Sequence, residues 1–447
     1  MAESVPASDR RTPVVLLTGT GPRGVPEALL RAPGTVVVRH DLRDLREGVV
    51  RRTVLDGDRA ELAVLELAHG CVSCTLRGDL LPLLRTLAAR ERVRRIVLDL
   101  DAAFEAAAVC EAIEHVVVAG IVGRPDAPAS RDVRVHAVLG CLDESGWFAD
   151  ATGDDTLAER GLTTVDDDRT VAQVALAHVE SADALLIAGS GDPVRRVRTE
   201  AVLHRLAPGV PALRVEPDAE FAADSVVPAG HGGSGAAGTG PEQIFAAELE
   251  ALLAAVPART RGGFDPHAPL LRGQPPLSRE HGVEWVEFAA DRPFHPARLH
   301  EALDVLLEGV VTARGRIWLA TQPADVVWLE SAGGGLRVGG AGHWLAAMTP
   351  AERAAADPER AALAALRWDE RFGDRHISLV VLVHHADPAE IRRALHWALV
   401  EDDELLLVAR SPQVVAGWED PFGEQHTDPC AGPSGVGAES LHREDNA

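Results

Sequence analysis

PVVLLTGTGPRGVPEALLRA, residues 13–32, is the stretch on which the reading of the fold turns. Residues 13–19 are a short apolar run ending in glycine, the pattern of a buried strand, and VPEALLRA (25–32) is compatible with a helix. Between them, Gly19-Thr20-Gly21-Pro22-Arg23-Gly24 keeps both glycines of G-x-x-x-x-G, where a phosphate-cradling loop would join the two elements. Such a loop continues with a lysine that reaches the β- and γ-phosphates and a Ser/Thr that holds Mg²⁺. Val25 and Pro26 stand there instead. Valine brings no charge, and proline brings neither a hydroxyl nor a backbone N–H. Two readings follow: a strand-to-helix turn whose nucleotide role is lost, or a residual site using the loop amides at the helix start and Arg23.

Outward from this turn the pattern repeats. Strand-like runs GTVVVRHDL (34–42), RRIVLDL (94–100), VRVHAVLGCL (133–142) and ALLIAG (184–189) alternate with helical patterns over 76–92, 104–119, 169–183 and 194–207. The run AELAVLEL (60–67) precedes the first of these helices. Alternation with strands apolar throughout implies an α/β domain: a mainly parallel sheet, P-loop-NTPase-like, with helices on both faces, over 13–216. Residues 217–282 are Pro/Gly-rich around one possible helix (243–256) and read as a flexible linker. Strand VEWVEFAA (283–290) opens a smaller α+β domain over 283–420, closing with HISLVVLVHH (376–385) and a helix over 388–400. Residues 421–447 read as a disordered tail.

The chain has 447 residues and net charge −24, and it contains no lysine: all 44 basic residues besides histidine are arginine. Chemistry that needs a lysine ammonium is thereby excluded. The acidity argues against a direct nucleic-acid surface and suits a basic protein partner. No apolar run approaches the ~20 residues of a membrane helix, and the N-terminal arginines precede no apolar signal core. Five cysteines, Cys71, Cys74, Cys110, Cys141 and Cys430, are too few and too odd for a secreted disulfide framework. The expectation is a cytoplasmic protein with reduced thiols and no membrane partner.

Glu66-Leu67-Ala68-His69-Gly70-Cys71-Val72-Ser73-Cys74-Thr75-Leu76-Arg77-Gly78-Asp79-Leu80 carries the most chemistry. Two cysteines three apart, just before a helix, can aim both sulfurs at one point, and amide dipoles there favour thiolate. Zn²⁺ takes four ligands, so the pair is half a site, which His69 and Glu66 would complete. Inert or redox-active thiols are the alternative.

This segment resembles the signature of the CobW family of metallochaperone GTPases, approximately E-x-x-N-G-C-x-C-C-T-x-R-x-D-L. Glu66, Gly70, Cys71, Cys74, Thr75, Arg77, Asp79 and Leu80 match it; Ser73 replaces the middle cysteine and His69 the asparagine. The resemblance implies Zn²⁺ at Cys71, Cys74, His69 and Glu66, and a GTP·Mg²⁺ site using Gly19, Gly21, Arg23, Gly24, Asp99 and Asp192. The guanine-reading N-K-x-D loop falls at Gly189-Ser190-Gly191-Asp192, keeping only the aspartate. The E-T-T-G switch falls at Asp99-Leu100-Asp101-Ala102, keeping an acid and losing the glycine; Asp41 stands for the switch I acid. The second domain is similar to the CobW C-terminal domain at Arg292-Pro293-Phe294-His295-Pro296-Ala297-Arg298-Leu299, at Trp368-Asp369 with Phe372-Gly373-Asp374-Arg375, and at the acidic Glu401-Asp402-Asp403-Glu404. Trp318, Trp328, Trp344 and Trp368 are expected in core or interdomain packing, with a partner-facing surface as the alternative. His231, His281, His343, His384, His385, His426 and Cys430 are scattered and read as solvated or packed groups.

With the nucleotide motifs eroded together, the H-G-C-V-S-C form resembles an actinobacterial subgroup that recruits a ribosome hibernation factor under zinc starvation. The expectation is a zinc-linked adaptor, a degenerate GTPase docking a basic, ribosome-associated protein. The alternative is a GTP-dependent zinc metallochaperone.

Overall fold

A computed structural model describes residues 9–22, 24–66, 75–163, 167–189, 191–215, 241–257 and 265–423. The first sheet has eight strands: β1 (Thr12–Gly19), β2 (Thr35–Asp41), β3 (Val49–Asp56), β4 (Arg59–Glu66), β5 (Arg95–Asp99), β8 (Val133–Asp143), β9 (Ala184–Ala188) and β10 (Ala212–Val215). A two-residue pair, β6 (Val117–Val118) with β7 (Ala127–Pro128), lies outside it. The order β10-β9-β8-β1-β5-β2-β3-β4 is parallel from β10 to β2 and antiparallel for the hairpin β3–β4 at the edge. The parallel α/β sheet expected from the sequence is present.

Alternation along β1 explains why both faces are covered. Val14 and Leu16 pack with Leu81, Leu84, Val109 and Ile113 of the helices Leu81–Ala88 and Ala106–His115. Val15 and Leu17 face the other way, against Val25 and Leu29. That second face is completed by Phe245, Leu249, Leu252 and Leu253 of the helix Pro241–Ala255. The flexible linker expected over 217–282 is therefore corrected in its described parts. The helix buries one apolar side in the cluster on this face of the sheet, and residues 265–282 form a strap between the domains, with Leu270 buried there.

The second sheet holds β11 (Val283–Ala290), β12 (Val310–Ile317), β13 (Asp325–Ala332), β14 (Gly335–His343) and β15 (Ile377–His384) in the antiparallel order β11-β15-β12-β13-β14. Val286 and Phe288 pack under its own helices with Leu299, Ile391 and Leu395. Trp285, Val311, Val380 and Leu382 face the first domain, meeting Leu142, Trp147 and Leu176. An ion pair between Arg314 and Glu180, nearly buried on both sides, crosses this interface. The β13–β14 turn also docks there: a side chain at Gly333, Gly334 or Gly335 would run into Gly153, Asp154 or Thr170 respectively. Only glycine lets the two backbones approach so closely. Among the described residues no helix is long and apolar enough to cross a membrane. The tail expected over 421–447 lies outside the described residues from 424 onward.

Candidate functional site

The Gly19–Gly24 turn sits at the carboxyl end of β1, where α/β sheets place ligands. Gly19 (φ +94°) and Gly24 (φ +79°) are in the left-handed region. A Cβ on Gly19 would strike the Cys141 carbonyl oxygen, and one on Gly21 would strike Cys141 and Leu142. The turn thus lies flat against the end of β8. Arg23 lies outside the described residues. Val25, at the expected lysine position, is 2% exposed in the apolar cluster with Val15 and Leu29. Its side chain belongs to the core.

Asp99 ends β5 and pairs in register with Arg39 of β2. The Arg39 guanidinium donates to the Asp99 carboxylate and also lies 3.6 Å from Glu27, in the helix Val25–Leu30 that follows the turn. Burial raises the Asp99 carboxyl above its ordinary value, and Arg39 opposes that rise only in part. Burial likewise raises Asp101, which accepts the Ala103 N–H at 3.0 Å. Asp41 is held below its ordinary range by Arg43. Arg39 carried no signal in the sequence: seeing its role requires knowing that β2 lies beside β5.

Asp192 is the N-cap of the helix Pro193–Leu206, accepting the N–H of Val194 at 2.9 Å, and its carboxylate lies 3.5 Å from the Arg195 guanidinium. The guanine-reading carboxylate expected there is engaged with its own helix. Beneath Gly19 and Thr20 lies a cavity of about 40 Å³ walled by Cys141, Trp147, Leu157, Val171 and Val174. It has room for a few waters, far below the ~300 Å³ of small-ligand pockets. His178 also lines it; its Nε2 lies 3.2 Å from the Phe104 carbonyl, and burial lowers its pKa to about 4. With no ammonium, no hydroxyl at position 26, Asp99 held by Arg39 and Asp192 held by its helix, these residues do not fit GTP·Mg²⁺ as the family motif would use them.

The cysteine segment is bracketed by firm anchors. Glu66 ends β4, the outer strand of the sheet, and is exposed. Thr75 is fully buried where the chain re-enters helix through a π-turn at Leu76–Leu80. Asp79, from the same motif, receives His40 Nε2 at 2.8 Å and Arg52 Nη1, and Leu80 enters the core. His69, Cys71 and Cys74 lie outside the described residues. Their donor chemistry, two sulfurs with an imidazole and a carboxylate, fits Zn²⁺. Among the described residues no group of three or more His, Cys, Asp or Glu is placed to hold a metal. Cys141 is no candidate nucleophile, since burial pushes its thiol up to about 12.

The motifs of the second domain are largely architectural. Asp374 is buried and accepts the N–H groups of Leu345 and Ala346, both at 2.9 Å. Trp318 and Trp344 are fully buried, whereas Trp368 is 44% exposed. Among the scattered histidines, His384 packs edge-on against Phe148 and His343 lies 2.8 Å from Asp325, while His231, His426 and Cys430 lie outside the described residues.

Comparison with known proteins agrees with this two-part layout. Residues 42–207 match the nucleotide-binding domain of CobW/HypB/UreG, a span that begins after the Gly19–Gly24 turn. Residues 283–399 match the C-terminal domain of the cobalamin synthesis protein CobW. A Mycobacterium tuberculosis protein named a zinc chaperone is 45% identical over 97% of this chain and 98% of its own. An uncharacterized Mycobacterium bovis protein is equally similar over the same spans. A Dictyostelium discoideum zinc-regulated GTPase metalloprotein activator is 25% identical over 80% of this chain and 70% of its own. The matches to both domain models, in this order, and the 45% identity across 97% of the chain place it in the CobW family.

Proposed function

We propose that this protein is a cytoplasmic, zinc-linked adaptor that keeps the GTPase scaffold without its turnover. In this reading Cys71 and Cys74, completed by His69 and Glu66, take Zn²⁺. The acidic body then docks a basic protein partner, such as a ribosome-associated hibernation factor, when zinc is limiting. The zinc link is supported by the names of the relatives and by the donor set. The loss of turnover rests on one observation: Arg39 is already paired with Asp99, and lies near Glu27, beside a turn whose lysine position is buried valine.

The first test is GTP·Mg²⁺ hydrolysis by the purified full chain, expected at background. Turnover abolished by Gly24→Val would overturn the reading. Zinc titration against a competing chelator should give about one equivalent, weakened by more than about tenfold in Cys71→Ser or Cys74→Ser. Co-sedimentation with ribosomes should differ between zinc-poor and zinc-replete extracts; equal sedimentation in both counts against the adaptor. A GTP-dependent zinc metallochaperone is the second reading, favoured by the zinc chaperone and GTPase names of the relatives. It requires the hydrolysis that the first test measures.

A further inference from the structure

The acidic stretch Glu401–Glu404 and an exposed tryptophan meet at the outer side of the second domain. A groove of about 660 Å³ runs between the end of β11, the helix Pro388–Trp397 and the helix Asp402–Arg410, with Trp397 and Leu405 in its wall. Trp397 is 52% exposed and Leu406 is 42% exposed. The helix Asp402–Arg410 rests Leu405 and Val408 half-buried on Ala320, Val400 and Val415 and has no fully buried residue. A tryptophan so uncovered beside the half-buried Leu405 is the composition of an interface centre rather than of ordinary surface.

The charge around the groove selects the occupant. Arg292, in the groove wall, is spent on Asp402 at 3.0 Å, and Arg298 is spent on Glu404. Glu404 also accepts the Glu401 N–H at 2.7 Å, closing the helix start. Asp291, Glu401 and Asp403 then have no ion-pair partner among the described residues, and Asp291 and Glu401 line the groove. The basic residues of the helix Pro388–Trp397, Arg392 and Arg393, stand a turn or more back from Trp397. The apolar floor with an acidic rim matches the cation-rich face of an amphipathic segment.

We propose that this groove is the docking site for a basic amphipathic helix of a partner protein. One apolar side chain of that helix seats against Trp397 and Leu405 while its arginines or lysines lie over Asp291, Glu401 and Asp403. The proposal rests on the adaptor reading and locates its contact surface.

The probe is a fluorescently labelled Arg/Leu peptide with one apolar face, compared with a scrambled peptide of the same composition and with its Glu/Leu counterpart. Binding to the full chain is followed by anisotropy. The amphipathic basic peptide should bind at least about tenfold more tightly than either control, and Trp397→Ala should weaken it by about tenfold or more. Asp291→Asn, in the groove rim, should weaken it in the same direction, and both variants should keep the wild-type circular dichroism melt. Equal binding by wild type and Trp397→Ala overturns the groove. So does equal binding of the scrambled peptide, which would reduce the effect to bulk charge. A Trp397-dependent dimer without peptide, or Trp397-dependent binding to phosphatidylglycerol vesicles, would assign the surface to a second copy or to a membrane and equally overturn it. Zinc binding and GTP turnover are read separately, so failure of the groove leaves the adaptor reading to its own tests.

Discussion

The carboxyl edge of the first sheet and the outer helices of the second domain have opposite character. At the first, polar groups are answered from within: Arg39 serves Glu27 and Asp99, Asp192 caps its own helix, and Asp79 binds His40 and Arg52. At the second, the helices Pro350–Ala355, Pro358–Leu366 and Asp402–Arg410 bury no residue, and Leu366, Trp368 and Trp397 are exposed. A ligand entering the first region must displace contacts already made. A partner meeting the second gains contacts that the chain leaves unmade. Under the adaptor proposal, a site inherited for a small ligand has become part of the scaffold, and recognition has moved outward.

The largest break in that contrast should come from Gly19→Ala. Its left-handed backbone and the close Cys141 carbonyl should cost about 2–3 kcal/mol, read as a lower urea midpoint. A comparable effect, accumulated over the whole titration window, is expected from pH. His178 has a folded pKa of about 4 against an ordinary 6.5, so the unfolded chain binds its proton first as pH falls. Its contribution is complete above pH 6.5 and is lost as pH falls towards about 4, by up to about 1.4 kcal/mol per pH unit. His178→Gln should flatten the stability profile in that window; an unchanged slope would exclude this residue as its source. Arg39 is half-exposed, so Arg39→Gln should cost only about 0.5–1 kcal/mol, by the same unfolding measurement. The smallest effect belongs to the outer region: Leu366→Ser, at a site 83% exposed, should leave stability within about 0.5 kcal/mol. A large loss there would mean that the outer helices carry folding stability and would dissolve the contrast.

Much of this architecture was legible in the residues. Apolar runs at 13–19, 94–100, 133–142 and 184–189 declared the parallel strands, because strands covered on both faces carry no alternating pattern to confuse them. β3 carries no clear strand pattern, since Arg51 and Arg52 interrupt its apolar residues, and the partner of Arg52, Asp79, lies 27 residues away. The helix Pro241–Ala255 was visible, but its dock was not, because strands from distant segments build that surface. The candidate site was legible as a set of losses, at Val25 and Pro26. The Arg39–Asp99 pair beside it was hidden, because a salt bridge between neighbouring strands leaves no spacing in the chain. The groove beside Trp397 was hidden for the same reason: its walls come from residues 289–292 and 396–405.

The three glycines at 333–335 have one more implication. A tip that seats backbone on backbone, next to a shared apolar layer and the Arg314–Glu180 bridge, leaves no room for a pivot between the two halves. Small-angle scattering should therefore return the same distance between the two sheet domains with zinc or without it.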